Sequence, residues 1–247
     1  MNEIIDALVR QMTEVERRQS FSYVRPQDAA TLILVDRSGA GPKVLVGRRH
    51  HGHRFMPGKY VFPGGQVDPL DRRMANAVHL DPHVEARLMR LMPRPSRLRA
   101  RALALAAIRE TFEETGFLLG MPKLAPPAAV DGAWAAFAQA RVYPDLADIH
   151  FIARAITPPK APRRFDTRFF TADASAIGHR VEGVVGPNAE LVELLWIPIA
   201  ETQRLDMAAV TRTVLKDLEH RVAAGMSRDL PVPFYRILHR RFTRVLL

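Results

Sequence analysis

The 247-residue sequence predicts an α/β protein in which strands and helices alternate and the strands form one mixed sheet. Two β-rich runs joined by a turn rich in Gly, Ser and Pro predict an early hairpin. Later strand runs are separated by helical segments, and no internal repeat or linker divides the chain. We therefore expect a single domain over residues 1–247, and the 47% hydrophobic content supports a sizeable core.

The composition excludes several kinds of site. The chain has no cysteine, which excludes disulfides, thiolate metal sites and cysteine nucleophiles. No apolar run is long enough to span a bilayer, and the first residues lack the apolar core of a signal peptide, so we expect a cytoplasmic protein. The net charge of +10 favours anionic partners. The basic segment 87–101 lacks interleaved aromatic residues, which argues against a nucleic-acid groove.

The first part of the chain is predicted to contain an extension and a hairpin. Residues 1–27 form an N-terminal extension, in which residues 1–18 have the apolar spacing of an amphipathic helix. The hairpin strands are Thr31–Asp36 and Lys43–Arg48. A short strand, Tyr60–Phe62, then ends in a Pro-Gly-Gly turn.

Residues 66–98 are polar, basic and interrupted by prolines, and we interpret them as an insertion. Within them His83–Met92 predicts one amphipathic helix, ended by the prolines that follow. The next helix spans about 98–115, and Gly116 is placed to end it.

The second half of the chain continues the alternation. Asp131 is the predicted N-cap of a helix whose Trp134 and Phe137 face inward. Residues 206–247 are predicted to be a helical C-terminal extension that ends in a basic, amphipathic run. This run could contact a membrane, a nucleic acid or a second copy of the chain, or it could pack on the domain. The remaining predicted elements are strands Ile149–Ile156, Phe165–Thr171 and Glu190–Ile197 and a mainly helical segment 199–225.

Three carboxylates on the helix that ends at Gly116 are the strongest functional signal. Glu110, Glu113 and Glu114 stand at i, i+3 and i+4, so they share one helix face. Three clustered negative charges destabilise a helix unless a cation compensates them, and Mg²⁺ prefers carboxylate oxygens. A solvated helix face with ordinary Glu/Arg pairs is the alternative interpretation, which the preceding Gly64-Gly65 makes less favoured.

The residues Gly64-Gly65 and Arg109-Glu-Thr-Phe-Glu-Glu-Thr-Gly-Phe117 together resemble the Nudix box, Gly-x5-Glu-x7-Arg-Glu-U-x-Glu-Glu-x-Gly-U, where U is apolar. Here about 30 extra residues separate the two halves, and the glutamate expected before Arg109 falls at Arg101. A split box resembles the Nudix branch that includes peroxisomal coenzyme A diphosphatases. We expect Asp68 or Asp71 to supply the missing partner of Arg109.

The resemblance implies a Nudix-type α/β/α sandwich with a mixed sheet and Mg²⁺ or Mn²⁺ on the box helix. It implies that Glu113 and Glu114 are metal ligands and that Glu110 is a ligand or the base that orients water. The carbonyl of Gly65 would complete the metal shell, and Arg109 would hold the carboxylates.

Other residues are candidates for substrate contacts. Guanidinium groups match phosphates well, so Arg48, Arg163, Arg164 and Arg168 are candidate phosphate ligands. Structural pairing of Asp166 with Arg164 or Arg168 is the alternative. Glu182 and Glu190 are candidates for a further acid, and Glu190 is better placed because it begins an apolar strand, although a plain surface role fits either residue equally.

The resemblance implies hydrolysis of a small-molecule nucleoside diphosphate linked to another moiety. Coenzyme A or an acyl-CoA is the leading candidate for the substrate, and ADP-ribose, nucleotide sugars and dinucleotides are alternatives. A Nudix-fold module that binds a nucleotide or RNA without catalysis is a different class of function. The presence of all three box glutamates favours the hydrolase.

Overall fold

The structure, a computed structural model, describes residues 23–53, 56–124, 131–159, 161–239 and 241–247. The helix predicted within residues 1–18 lies outside these ranges. The α-helices of the described part are α1 (Pro69–Met74), α2 (Pro82–Met89), α3 (Arg97–Thr115), α4 (Ala133–Ala140) and α5 (Ala209–Ala223).

The described part also contains thirteen strands and two short 3₁₀ helices, at Ala174–Ala176 and Ile199–Arg204. The strands are β1 (Gln27–Asp36), β2 (Lys43–Arg49), β3 (Tyr60–Val61), β4 (Gly64–Gln66), β5 (Phe117–Leu119), β6 (Met121–Pro122), β7 (Val142–Tyr143), β8 (His150–Ile156), β9 (Phe165–Asp173), β10 (Ile177–Arg180), β11 (Leu191–Pro198), β12 (Pro233–Leu238) and β13 (Arg241–Leu246).

The main sheet is mixed, as predicted. Its order is β11-β2-β1-β9-β8-β12-β13, with β3 added to β2 and β4 added to β1. The pairs β1–β9 and β8–β12 are parallel, and the other pairs are antiparallel. Strand β4 places Gly64 and Gly65 opposite Thr31 and Ala30 of β1, which fixes the glycine turn against the centre of the sheet.

Two hydrophobic layers cover the sheet, one on each face. In β1 the side chains alternate, with Leu32 and Leu34 in one cluster and Ile33 and Val35 in the other. Helices α1 to α4 pack on the first face, and α5 packs on the second face. This arrangement is the predicted α/β/α sandwich.

The predicted helices are largely confirmed. Helix α3 ends where Gly116 adopts a φ of 79°, in the left-handed region that favours glycine. In α4, Trp134 and Phe137 are fully buried as expected, but the N-cap is Gly132 rather than Asp131.

The prediction of a helical extension over 206–247 is wrong for its last part. Residues after α5 form the β12–β13 hairpin, in which β12 joins β8 in the sheet. Phe234 and Tyr235 are successive, fully buried residues that belong to opposite hydrophobic layers. Only a strand sends neighbouring side chains to opposite faces, so the sheet decides the conformation of this basic run.

The segment after β4 contributes two helices that pack on α3. Helix α1 starts at Asp68, whose side chain accepts from Leu70 N at 2.7 Å, while the Asp71 side chain accepts from Asp68 N at 2.8 Å. Helix α2 starts at Pro82, one residue before the predicted His83–Met92 helix, and ends at Met89. None of the described helices is long and apolar enough to cross a membrane.

Candidate active site

The carboxylate helix α3 is anchored in the core along most of its length. Its residues Ala102 to Ile108 are all buried under the sheet. Its last two turns then bring Arg109, Glu110 and Glu114 against the glycine turn of β4. The helix therefore presents charged groups from a rigid, buried support.

Arg109 contacts four residues on three elements of this region. Its Nε donates to Asp71 Oδ1 at 3.0 Å, and its Nη2 donates to the Gln66 carbonyl at 2.7 Å. The same guanidinium pairs with Glu110 at 2.9 Å and with Glu113. It thereby holds helix α3, strand β4 and helix α1 in one arrangement, and it fixes two of the three box glutamates.

Glu110 lies directly against Gly65. A Cβ atom added to Gly65 would stand 2.4 Å from Glu110 Cδ, so this position accepts only glycine without moving the carboxylate. Burial, with a smaller contribution from Glu113, raises the pKa of Glu110 to about 7 despite the opposing charge of Arg109. In the absence of a cation, the carboxyl group of Glu110 therefore titrates near neutral pH.

Glu114 is more deeply buried. Its Oε1 lies 3.4 Å from the Gly64 amide, and its Oε2 is buried with no hydrogen-bond partner among the described residues. Desolvation, together with the nearby charges of Glu190 and Glu110, raises the pKa of Glu114 well above its usual range, and Arg49 opposes this shift. A buried carboxylate oxygen without a donor is costly unless a cation binds it.

These observations test whether the residues fit a divalent cation. Among the described residues, no three acidic or histidine side chains stand together closely enough to form a complete metal site. Glu110 and Glu114 nevertheless converge on the Gly64-Gly65 turn, and the orphaned Glu114 Oε2 is a group that a cation would satisfy. Mg²⁺ often binds through one or two carboxylates plus water and substrate phosphates, so the residues fit such an ion.

Glu113 occupies a different position from its two neighbours. Its side chain is 42% exposed and pairs with Arg109, and it is not among the residues that line the adjoining cleft. Its role as a metal ligand stays a prediction.

The cleft beside the box helix has a volume of about 350 Å³. Glu110, Glu114 and Glu190 supply acidic groups to its lining, and Arg49 and His53 also line it. Glu190 pairs with Arg49 at 2.9 Å and lies 3.6 Å from His53 Nε2. The structure thus brings the predicted further acid to the box glutamates.

Strand β9 presents a different face to the cleft from the one predicted. Arg163, Phe165 and Thr167 line the cleft. Arg168 is fully buried and pairs with Asp28 at 2.9 Å and with Asp166. These contacts contradict the predicted phosphate-binding role of Arg168.

Arg164 and Arg48 also have structural partners instead of cleft positions. Arg164 is buried and donates to the carbonyls of Thr157 and Val24, at 3.0 and 2.8 Å. Arg48 pairs with Glu193 at 2.9 Å and does not line the cleft. Adjacent side chains of a strand alternate in direction, and the sequence does not reveal which face meets the site.

Asp71 is the partner of Arg109, whereas Asp68 caps α1. Asp71 is fully buried and accepts from Arg109 and, at 3.2 Å, from Trp134 Nε1. Counting six residues forward from Gly65 reaches Asp71, which is the position of the box glutamate. The prediction counted back from Arg109 and reached Arg101, which instead pairs with Glu85. The insertion therefore starts after Asp71 and not at residue 66.

Arg163, one of the predicted phosphate ligands, and Arg49, which the sequence did not single out, are arginines that line the cleft. Arg49 closes β2 beside the predicted Arg48, and Arg163 precedes the predicted Arg164. Arg49 is the immediate neighbour of the predicted Arg48, so strand alternation anchored on the buried residues of β2 was the available signal.

The fold and the site together define the class of the protein: an α/β/α sandwich whose acidic box helix meets a glycine turn. No protein-family profile matches the chain. Among solved structures it is similar to the Nudix hydrolase of Alicyclobacillus acidocaldarius, with 34% sequence identity, coverage of 78% of this chain and 90% of that chain, and a TM-score of 0.59. It is also 25% identical over 254 residues to human acyl-coenzyme A diphosphatase NUDT19, covering 78% of this chain and 68% of that protein.

The chain therefore belongs to the Nudix hydrolase family, as its sequence resemblance predicted. It is a pyrophosphohydrolase, a class of enzyme that cleaves diphosphate bonds in small molecules.

Proposed function

We propose that this enzyme hydrolyses a nucleoside diphosphate linked to another moiety with the help of Mg²⁺ or Mn²⁺. We further propose that its preferred substrate is coenzyme A or an acyl-CoA. The observation that carries the metal dependence is the buried Oε2 of Glu114, which has no hydrogen-bond partner among the described residues and lies beside Glu110 and the glycine turn. The similarity to human acyl-coenzyme A diphosphatase NUDT19 supports the substrate class.

In this proposal Glu110, Glu114 and the Gly65 carbonyl hold the cation, and Glu113 contributes directly or through Arg109. When bound, the ion neutralises phosphoryl oxygens and lowers the pKa of a coordinated water. Arg109 orients Glu110 and Glu113, with Asp71 fixing Arg109 in turn. Arg49 and Arg163 bind phosphate oxygens from the cleft wall, because both line it with cationic groups.

Glu190 is the proposed second acid of the site. It shares the cleft with Glu110 and Glu114, and its charge acts on Glu114. It pairs with Arg49 at 2.9 Å on the cleft wall, where its carboxylate can accept a proton from an attacking water.

The test is a substrate panel of coenzyme A, an acyl-CoA, ADP-ribose, NADH and a dinucleoside polyphosphate, each with Mg²⁺, Mn²⁺ or a chelator. We expect metal-dependent turnover, with coenzyme A or acyl-CoA giving the highest kcat/KM. A higher value for ADP-ribose or a dinucleotide would overturn the substrate class. No turnover of any compound would favour the non-catalytic binding module.

The variant Glu114→Gln tests the ligand assignment. It removes the negative charge and one oxygen ligand while keeping the side-chain shape, so kcat should fall by about a hundredfold or more. Glu182→Gln is the matched control, because Glu182 is an exposed carboxylate that pairs with Arg180 and, unlike Glu190, does not line the cleft. Equal activity of the two variants would show that Glu114 does not hold the metal.

A further inference from the structure

A second cavity, the basic groove, lies beside the catalytic cleft. It is lined by Arg25, Arg72, Arg94, Arg99, Arg154 and Arg236, and it has a volume of about 1140 Å³. Gln66 of β4 lines both cavities. The segment inserted after Asp71 supplies three of the six arginines, namely Arg72, Arg94 and Arg99.

The groove has more positive charge than its own carboxylates can neutralise. Only Asp28 and Asp166 supply negative charge to its lining. Arg99 pairs with Asp28 at 2.6 Å, and Arg154 pairs with Asp166 at 2.7 Å. Both of these carboxylates also pair with the buried Arg168, which lowers their capacity to neutralise further cations.

The other four arginines have no carboxylate partner within the described part of the chain. Arg25, Arg72 and Arg94 are exposed, and Arg236 is half-buried with its guanidinium 5.1 Å from the centre of the Phe234 ring. The Nε atom of Arg236 is buried and makes no hydrogen bond with the described residues. Four unpaired guanidinium groups around one concavity repel each other, and a bound polyanion would remove that cost.

The backbone at the rim of the groove is strained. Leu91 and Arg94 have φ values of 53° and 52°, which is uncommon for residues with a side chain. The Leu91 carbonyl accepts from Arg154 at 3.2 Å, so the loop is tied to the groove floor. Strained positions of this kind persist where the surrounding structure fixes them, and they concentrate at binding sites.

We propose that the basic groove is a second binding site, and that it takes a small ligand carrying several phosphate groups. Guanidinium groups pair with phosphate oxygens in two-point contacts, and four of them on one concave surface suit a polyphosphate. The volume is that of a pocket for a small molecule rather than of a long nucleic-acid track. The phosphate groups belong either to the substrate held in the catalytic cleft or to a separate anion.

The binding experiment uses the full chain in a chelator, so that metal-dependent binding in the catalytic cleft is absent. Tripolyphosphate is titrated by calorimetry at low ionic strength into the wild type and into the triple variant R72Q/R94Q/R236Q. We expect the variant to bind about tenfold more weakly or worse. The control R180Q/R204Q/R241Q removes the same charge from exposed arginines elsewhere and should change the affinity by less than about twofold.

Equal loss in both triple variants would overturn the proposal, because net charge alone would then explain the binding. Retained affinity in the groove variant, or no binding by the wild type, would overturn it as well. Circular dichroism and the thermal midpoint confirm that both variants are folded. If the groove variant unfolds, the single variants R72Q and R94Q, at exposed positions, each replace it with the same expectation in direction.

Steady-state kinetics then distinguish the two sources of phosphate. If the groove holds part of the substrate, the groove variant raises KM about tenfold with little change in kcat. If it holds a separate anion, KM is unchanged while tripolyphosphate binding is lost. The binding arm contains no metal and requires no turnover, so its result does not depend on the proposed function.

Discussion

At the scale of single residues, the site concentrates buried carboxyl groups that the folded chain cannot fully compensate. Glu110 is held between Gly65 and Arg109, and burial still raises its pKa from 4.5 to about 7. The folded protein therefore binds this proton more tightly than the unfolded chain does. Stability is highest below the unfolded pKa and is lost as the pH rises through the folded value.

Glu110→Gln should therefore stabilise the metal-free protein at about pH 8 by up to about 3 kcal/mol, because glutamine resembles the neutral acid. The gain should shrink toward zero as the pH falls to about 4.5. Urea unfolding in a chelator at several pH values measures it. Glu182→Gln serves as the exposed control, and a gain that is independent of pH would show that ionisation of Glu110 is not the cause.

Burial raises the pKa of Asp71 as well, but Asp71 supplies the largest favourable interactions of the buried Arg109, so we expect its removal to destabilise the protein. Asp71→Asn leaves Arg109 without its main carboxylate, so the free energy of unfolding should fall by about 3 kcal/mol. Asp71→Glu, which has the glutamate of the usual box, should lose less unfolding free energy and less kcat than Asp71→Asn. Asp68→Asn keeps a helix cap and should cost less than about 1 kcal/mol. Similar losses for both asparagine variants in urea unfolding would contradict the assignment of Asp71.

The sequence predicted the charged groups of the site better than their neighbours. Glu110, Glu114 and Glu190 share the cleft because their helix or strand position determines where they lie. Of the four predicted arginines, Arg163 lines the cleft, whereas Arg49 lies there in place of the predicted Arg48. A one-residue difference reverses the direction of a side chain in a strand, and only the packing of the sheet reveals which face is exposed.

At the scale of elements, the end of α3 depends on close backbone contact. Gly116 combines a φ of 79° with a neighbouring carbonyl, because an added Cβ would lie 2.1 Å from the Val181 oxygen. Gly183 has a similar φ of 82° but open space around it. The two glycines therefore separate the cost of backbone strain from the cost of a clash.

Gly183→Ala should destabilise the protein by about 1 kcal/mol through backbone strain alone. Gly116→Ala should cost about 2 kcal/mol more, because the methyl group displaces the segment that carries Val181. Thermal and urea unfolding of both variants measure this difference. Equal losses would mean that the β10 region yields freely and does not fix the end of the box helix.

Sequence patterns predicted elements best where one periodicity dominates. The apolar and acidic positions of α3 and the hairpin of β1 and β2 were identified within a few residues. The β12–β13 hairpin was missed, because its basic residues suggest a helical surface. Phe234 and Tyr235 are buried because β12 pairs with β8, which is distant in the sequence. Tertiary contacts of this kind override local preference.

At the scale of the whole molecule, the sheet lies between two hydrophobic layers, and several strands contribute side chains to both layers. Strand β1 contributes to both layers, and β8 and β12 do the same. The catalytic cleft lies on this shared sheet, next to the α3 layer, and its lining also includes Val210 of α5. We therefore expect the described part of the chain to unfold as one cooperative unit, which is the single domain that the sequence predicted.

Leu103→Ala and Leu215→Ala test this expectation from opposite sides of the sheet. Both leucines are buried, Leu103 on α3 in one layer and Leu215 on α5 in the other. Each variant should lose about 2–5 kcal/mol, because a cavity replaces packed methyl groups. Urea unfolding is followed by circular dichroism and by tryptophan fluorescence, which reports Trp134 in the α3 layer and Trp196 on the edge strand β11. Both signals should shift together in each variant, whereas a shift confined to one signal would show that the two layers unfold separately.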